Sequence, residues 1–298
     1  MARAMASIVG IVLITLAGVI PLVPVALAKR VARSKRARER AGRAAIAVAR
    51  YWARACNAVV IAISGVRVSL QHEAGDSLNG RFVLIGNHQC AADPLFLVYA
   101  LDGRFPFPRF CLKRSLRRLP VIGLAFWALG YIFVDRHSRE AVRRNPALRG
   151  RDAESIEHAC RGFRDHSITF VNYPEGTRST AAKRRAVDSP YKTLLPPRTG
   201  GLRYAVRGFG ASLDGMLDLS IGYVDAPAPT LWAVLTGRIS TVVLRLQRLE
   251  VPPEFLTADA TSDPDAVDAI RAFLEARWRA KDKALAEIQS PASVRRGF

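Results

Sequence analysis

Residues Phe82-Val83-Leu84-Ile85-Gly86-Asn87-His88-Gln89-Cys90-Ala91-Ala92-Asp93 carry the reading that decides how this chain folds. The apolar run Phe82 to Ile85 predicts a strand, and Asp93 to Ala100 opens as a helix, so residues 87–92 form the turn between them. His88 and Asp93 stand five positions apart at that turn. A carboxylate so placed can hold one imidazole nitrogen while the other faces a substrate hydroxyl. Two polar residues at this spacing are common by chance, so the reading depends on whether later segments fit the same chemistry.

Working outward, strands and helical segments alternate. Val66 to Leu70, Ala128 to Val134, Ser167 to Tyr173, Leu217 to Val224 and Ile239 to Leu246 read as further strands, rich in branched or aromatic residues. Helices are expected at about 151–165 and 263–288, the latter capped by Ser262 or Asp263 with Pro264 in its first turn. This alternation predicts an α/β domain. Leu119 to Val134 is uncharged but shorter than the roughly 20 residues of a spanning helix, and Pro120, Gly123 and Gly130 interrupt it. It reads as a buried helix leading into a core strand, with Phe126-Trp127 as an edge that can touch lipid.

The 298 residues suffice for one large domain or two small ones. Lys and Arg number 45 against 25 acidic residues, a formal charge of +20, which points to a polyanionic partner: nucleic acid, an anionic membrane surface or phosphorylated substrates. Cys56, Cys90, Cys111 and Cys160 are scattered without metal-ligand spacing and read as reduced thiols facing the cytosol. No charge occurs from Ala4 to Ala28, and a cluster of Lys29, Arg30, Arg33, Lys35, Arg36, Arg38, Arg40 and Arg43 follows at once. Ala26-Leu27-Ala28 resembles a signal-peptide cleavage site. The long apolar stretch and its basic flank favour a retained anchor with that flank in the cytoplasm. Pro21 and Pro24 leave open whether the helix spans fully. Residues 1–28 are therefore read as a transmembrane or membrane-anchoring helix, 29–63 as a basic helix on the lipid surface, and 64–298 as the globular domain. A plain solvated helix packed on that domain is the alternative for 29–63.

Two further clusters fit the His88–Asp93 chemistry. Gly130-Tyr131-Ile132-Phe133-Val134-Asp135-Arg136 is an apolar stretch ending in an arginine, suited to a phosphate or to a surface salt bridge with Asp135. Val171-Asn172-Tyr173-Pro174-Glu175-Gly176-Thr177-Arg178-Ser179 delivers a carboxylate, a glycine, a hydroxyl and a guanidinium on one stiffened turn. Lys113, Arg114, Arg117 and Arg118 add positive charge between the first two clusters. Gly200-Gly201 reads either as a turn where backbone passes close to substrate or as a helix start.

In this order the segments resemble the lysophospholipid acyltransferase family, which includes the 1-acylglycerol-3-phosphate acyltransferases, over roughly residues 60–250. Asn87-His88 through Asp93 is similar to the first block of the family, Gly130 to Arg136 to the second, and Tyr173-Pro174-Glu175-Gly176-Thr177-Arg178 to the third. Ser189 to Gly201 and Leu219 to Tyr223 resemble a bacterial branch related to eukaryotic membrane acyltransferases, and the fourth block is matched only loosely at Ile221 to Pro227. Cys90-Ala91 departs from the Ser and Trp frequent in the first block, and Tyr173 stands where Phe is common.

The resemblance implies a mixed central sheet flanked by helices, with an N-terminal hydrophobic anchoring helix. It also implies that His88 is the general base on a lysophospholipid hydroxyl and that Asp93 orients it. The substrate-binding residues would be Lys113, Arg136, Glu175, Gly176, Thr177 and Arg178, with backbone amides near Gly176 holding the oxyanion. No metal or cofactor is implied; acyl-CoA or acyl-carrier protein is the co-substrate and membrane phospholipids are the surroundings. The expected reaction gives phosphatidic acid from 1-acylglycerol-3-phosphate at the cytoplasmic face of the cell membrane. Another lysophospholipid, such as lysophosphatidylglycerol or a lysocardiolipin-like acceptor, is the alternative. A membrane-tethered nucleic-acid-binding protein is a remote one, since the arginines gather beside the anchor and no nucleic-acid motif occurs.

Overall fold

Two long helices precede the sheet. In the computed structural model, which describes all residues except 120, 136–142, 145–150, 225, 257–262 and 291–298, α1 spans Ala2–Val31 and α2 spans Lys35–Ser64. Pro21 and Pro24 lie inside α1, which continues through Lys29 and Arg30 instead of ending near residue 28. The chain breaks at 32–34, where the Ser34 hydroxyl accepts from the Ala37 amide at 3.1 Å and caps α2. At its other end, α2 stops at Gly65 in the left-handed region, φ 75°.

The remaining elements are β1 (Arg67–His72), β2 (Arg81–Gly86), α3 (Asp93–Leu101), β3 (Pro108–Lys113), α4 (Ile122–Ala128), β4 (Ile132–Val134), α5 (Arg151–Gly162), β5 (Ile168–Asn172), α6 (Ala181–Ala186), α7 (Gly200–Phe209), β6 (Gly215–Tyr223), α8 (Leu231–Leu235), β7 (Thr241–Leu249) and α9 (Pro264–Ile288). The strands form one sheet in the order β1-β7-β6-β2-β5-β3-β4. All neighbours are parallel except β6 and β7, so the sheet is mixed. Asp263 caps α9, accepting from the Asp265 amide at 3.0 Å, and Pro264 occupies its first turn.

The sequence-predicted strand at Ala128 to Val134 is shorter in the structure. Ala128 ends α4, Gly130 turns the chain at φ 73°, and only Ile132–Val134 pairs. An apolar run with no clear period does not tell helix from strand. The strand β3 was not anticipated, because Pro108, Arg109 and Lys113 interrupt its apolar pattern.

Both faces of the sheet are covered, which is why the β2 residues Phe82 to Ile85 read as a continuous apolar run. Phe82 and Leu84 join the core beneath α3, with Phe96, Leu97 and Leu101, and also meet Val60 of α2. Val83 and Ile85 join the opposite core, with Cys160 of α5, Leu202 and Phe209 of α7, and Trp278 of α9.

The helix α2 packs on the globular domain while flanking α1. Asn57 donates to the Leu95 carbonyl at 3.3 Å, and Arg54 pairs with Asp102 at 2.5 Å. Ala45 and Ala49 lie buried in a cluster with Ala26 of α1. The outward face of α1 leaves Val12, Leu13, Leu16 and Ile20 exposed, Ile20 by 74%. Both helices are long and apolar enough to cross a membrane, and the most apolar window of α1 has no buried residue.

Candidate active site

Strand β2 lies between β6 and β5, and the chain leaves it toward β3 on one side, while β5 returns to β6 on the other. The carboxyl ends of β2, β5 and β6 therefore meet at a switch in strand order, the place where open α/β sheets form ligand crevices. Three turns converge there. Asn87 fixes the first: its side-chain amide donates to the Ile221 carbonyl at 2.9 Å, and its side-chain oxygen accepts from the Ile221 amide at 2.8 Å. This reciprocal pair carries the β2–β6 pairing past the end of β2.

Four donors converge on the fully buried carboxylate of Asp93. Its Oδ2 accepts from His88 Nδ1 at 2.8 Å, from the Gln89 amide at 2.6 Å and from the Cys90 amide at 2.8 Å. Its Oδ1 accepts from the Tyr223 hydroxyl at 2.5 Å. Burial and the adjacent Asp93 push the Tyr223 phenol well above its ordinary range, so it stays a donor. A carboxylate only accepts, so Nδ1 carries the imidazole proton and the Nε2 lone pair is free. Among the described residues Nε2 has no partner, and the His88 side chain is 21% exposed.

The second turn clamps His88 from behind. Glu175 Oε1 accepts from the His88 amide at 2.8 Å, and Oε2 accepts from the Leu195 amide at 2.9 Å. Glu175 is 1% exposed; burial pushes its carboxyl up to about 7 against the downward pull of these two amides. The Ser179 amide donates to the His88 carbonyl at 2.7 Å, so both main-chain groups of His88 are held. Tyr173 stacks on the His88 ring, centroids 4.7 Å apart and planes 21° from parallel. Its hydroxyl is buried without a hydrogen-bond partner.

The structure brings His88, Asp93 and the 173–179 turn together. Within that turn, Gly176 adopts φ 67° and its amide is spent on the Tyr173 carbonyl at 2.9 Å. Among the described residues the amides of Thr177 and Arg178 have no acceptor. Thr177 Oγ1 accepts from Lys183 Nζ at 2.6 Å. Arg178 is exposed, and its charge reaches Cys90; burial still holds that thiol up at about 11, which leaves it a poor nucleophile. Lys113 is exposed at the end of β3, in register with Val134 of β4. Asp135 pairs with Arg114 at 2.6 Å, and Arg136 lies outside the described residues. Gly200-Gly201 starts α7, and a Cβ on Gly201 would sit 2.3 Å from Asn172 Oδ1, so this glycine serves close packing against the end of β5.

Three contributors lay beyond the sequence reading. Tyr223 comes from 130 positions downstream of Asp93. Leu195, which completes the Glu175 clamp, is fixed by the Trp278 indole donating to its carbonyl at 2.9 Å. Arg198 lays its guanidinium beside Gly176, 3.4 Å from where a Cβ would stand, and its amide donates to the Pro174 carbonyl at 2.9 Å.

Comparison with known proteins fits this geometry. A family model described as Acyltransferase matches residues 65–224, the span that carries β1 through β6 and all three turns. The chain belongs to the acyltransferase family. Among its relatives, lysocardiolipin acyltransferase 1 of Gallus gallus is 26% identical over 69% of this chain and 53% of its own length. The probable 1-acyl-sn-glycerol-3-phosphate acyltransferase 5 of Arabidopsis thaliana is 27% identical over 70% of this chain and 54% of its own. The chain thus spans about half the length of these curated relatives. The crystal structure of the 1-acyl-sn-glycerophosphate (LPA) acyltransferase PlsC from Thermotoga maritima covers 97% of this chain and 98% of that one, with a TM-score of 0.55. At 17% identity this is a likeness of fold.

Proposed function

We propose that the protein transfers a fatty acyl group from a thioester, acyl-CoA or acyl-carrier protein, to the free hydroxyl of a lysophospholipid, with 1-acylglycerol-3-phosphate as the first acceptor. The observation that carries this reading is the His88–Asp93 pair, anchored on a buried carboxylate with Nε2 free. Nε2 takes the acceptor proton as the hydroxyl oxygen attacks the thioester carbonyl, and Asp93 stabilises the imidazolium that forms. The tetrahedral intermediate collapses with loss of the thiolate, which recovers the proton from Nε2. The products are a diacyl phospholipid and a free thiol. The unengaged amides of Thr177 and Arg178 are the donors for the oxyanion, in place of the Gly176 amide that the turn consumes.

The acceptor phosphate would pair with Arg178 of the Glu175-Gly176 turn and with Arg198 beside it, with Lys113 and Arg136 as further cations. Glu175 acts behind the site, holding the His88 main chain, and does not contact the acceptor. The exposed apolar face of α1 supports a seat in the membrane that holds the acceptor, and the basic start of α2 favours the cytoplasmic side for the catalytic domain. A lysocardiolipin-like acceptor is the second reading, favoured by the similarity to lysocardiolipin acyltransferase 1.

The test is purified protein in detergent with radiolabelled oleoyl-CoA or oleoyl-acyl-carrier protein and, separately, lysophosphatidic acid, lysophosphatidylglycerol and monolysocardiolipin. Transfer fastest to lysophosphatidic acid is expected. A clear preference for monolysocardiolipin selects the second reading, and no transfer to any lysolipid from either donor class contradicts both.

A further inference from the structure

A cavity lies at the end of the sheet opposite His88. Ile168 starts β5, Asn79 precedes β2 and Arg109 is the second residue of β3; all three line it, so it opens at the amino ends of the strands whose carboxyl ends carry His88 and Glu175. At about 3.3 Å per residue over five or six residues, the two sites are roughly 17–20 Å apart. The cavity, about 820 Å³, is lined on its other side by the end of α1 and the first half of α2.

Its lining is strongly asymmetric in charge. Lys29, Lys35, Arg38, Arg43, Arg50 and Arg109 face two carboxylates, Glu39 and Asp165. Among the described residues none of the six cations forms an ion pair. Their hydrogen bonds among the described residues are to backbone carbonyls: Lys29 to Ala128 at 2.6 Å, Arg38 to Ala32 at 3.3 Å, Arg50 to Phe105 at 3.4 Å and Arg109 to Phe107 at 3.1 Å. Lys29 also lies 5.5 Å from the Trp127 ring centroid and Arg109 5.4 Å from that of Phe107, contacts that leave both charges without a counter-anion. On α2, Lys35, Arg38, Gly42, Ile46 and Arg50 follow helical spacing, so one face of the helix is turned to the cavity.

Arg109 is the decisive group. It is only 5% exposed, and its Nε is buried with no hydrogen-bond partner. A Cβ at Gly130, which also lines the cavity, would stand 3.5 Å from that Nε; glycine leaves the approach open. Burial, joined by the like charge of Arg50, pulls the guanidinium down to about 10. A buried, unpaired cation among five others is costly, and an anion of matching geometry relieves that cost.

We infer that this cavity is a binding site for a phosphate-bearing anion, separate from the catalytic site and held by Arg109 with the cations of α1 and α2. Planar guanidinium forks suit phosphate oxygens, and several converging cations suit a group of more than one charge. Two sources share that chemistry: a free phosphate, or the headgroup of an anionic phospholipid. The headgroup gains from position, because Leu27 and Val31 lie exposed within two residues of Lys29 on α1. A lipid so held would tie the helical hairpin to the base of the sheet. The inference stands on the cavity alone and does not depend on the acyl-transfer reading.

The test is calorimetric titration of the full chain in detergent, on an Arg178→Gln background that removes a cation of the catalytic turn. Inorganic phosphate is titrated in one arm and dihexanoyl phosphatidic acid, below its micellar concentration, in the other. Saturable binding at one site is expected in at least one arm. Arg109→Gln should weaken it at least tenfold, and the exposed pair Arg38→Gln with Arg43→Gln at least fivefold. The second variant decides the matter if Arg109→Gln fails to fold. Tighter binding of the lipid supports a headgroup site, and equal binding supports a free-phosphate site. Absence of saturable binding in both arms, or unchanged affinity in the folded variants, overturns the inference.

Discussion

Replacing Asp93 by asparagine removes one negative charge while leaving the geometry of the turn satisfiable. The remaining side-chain oxygen can keep the place of Oδ2 and accept from His88 Nδ1, Gln89 and Cys90. The new amide nitrogen then faces the Tyr223 hydroxyl, which can turn from donor to acceptor. What is lost is the charge opposite the imidazolium that forms as the acceptor proton moves. Two unit charges about 4 Å apart at an effective dielectric constant near 20 interact by about 4 kcal/mol. That is about a thousandfold in rate. The assay is release of CoA thiol from oleoyl-CoA with lysophosphatidic acid as acceptor. A fall of about a thousandfold in kcat is expected, with KM for both substrates within about threefold. A variant that melts with the parent and retains kcat within about tenfold would refute the role given to Asp93.

Glu175 predicts a pH dependence. Its native value of about 7 lies above the ordinary 4.5, so folding favours the protonated carboxyl. Stability attributable to it is full below about pH 4.5 and declines as pH rises through 7, by a total of about 3 kcal/mol. Glu175→Gln should be less stable in acid, through loss of one amide bond. Its melting temperature should fall less than the parent's between pH 5 and 8, by roughly 6–12 °C; parallel melting curves would count against the buried-carboxyl reading. Gly208→Ala tests the packing of α7 on α5, where a Cβ would lie 2.6 Å from both Cys160 Cβ and the Glu157 carbonyl. Overpacking of this kind costs about 1–3 kcal/mol. A melting temperature lowered by roughly 3–10 °C with unchanged kcat at 20 °C is expected, and no change in melting would mean that the helices part freely.

The juxtaposition of His88 and Asp93 was legible because its parts are local. Strand, turn and helix occupy residues 81–101, and five positions separate His88 from Asp93. The Glu175 turn was legible as a polar cluster, but its job was not. A carboxylate in a Glu-Gly-Thr-Arg run suggests substrate contact, whereas in the fold it is buried and spent on two main-chain amides. Tyr223 was invisible as a partner because parallel pairing brings β6 beside β2 from far along the chain. Arg198 was hidden for the same reason, lying on a loop that returns to Pro174 through one backbone bond. Helix α1 was plain from its lack of charge, while the break at 32–34 depended on the Ser34 cap, which a dense run of arginines obscures. The basic cavity falls in the same class, since its cations come from α1, α2 and β3 and meet only in the fold.

The central claim is that His88 Nε2 removes the acceptor proton. His88→Ala keeps the main-chain bonds to Glu175 and Ser179, so the turn can persist without the imidazole. The decisive measurement is single-turnover transfer of radiolabelled oleoyl groups from CoA to lysophosphatidic acid by parent and His88→Ala protein at matched folded concentration. Phospholipid formation is expected from the parent and a rate at least about a thousandfold lower from the variant, the loss that follows when a general base is removed from a held site. Transfer by the variant within about tenfold of the parent would contradict it.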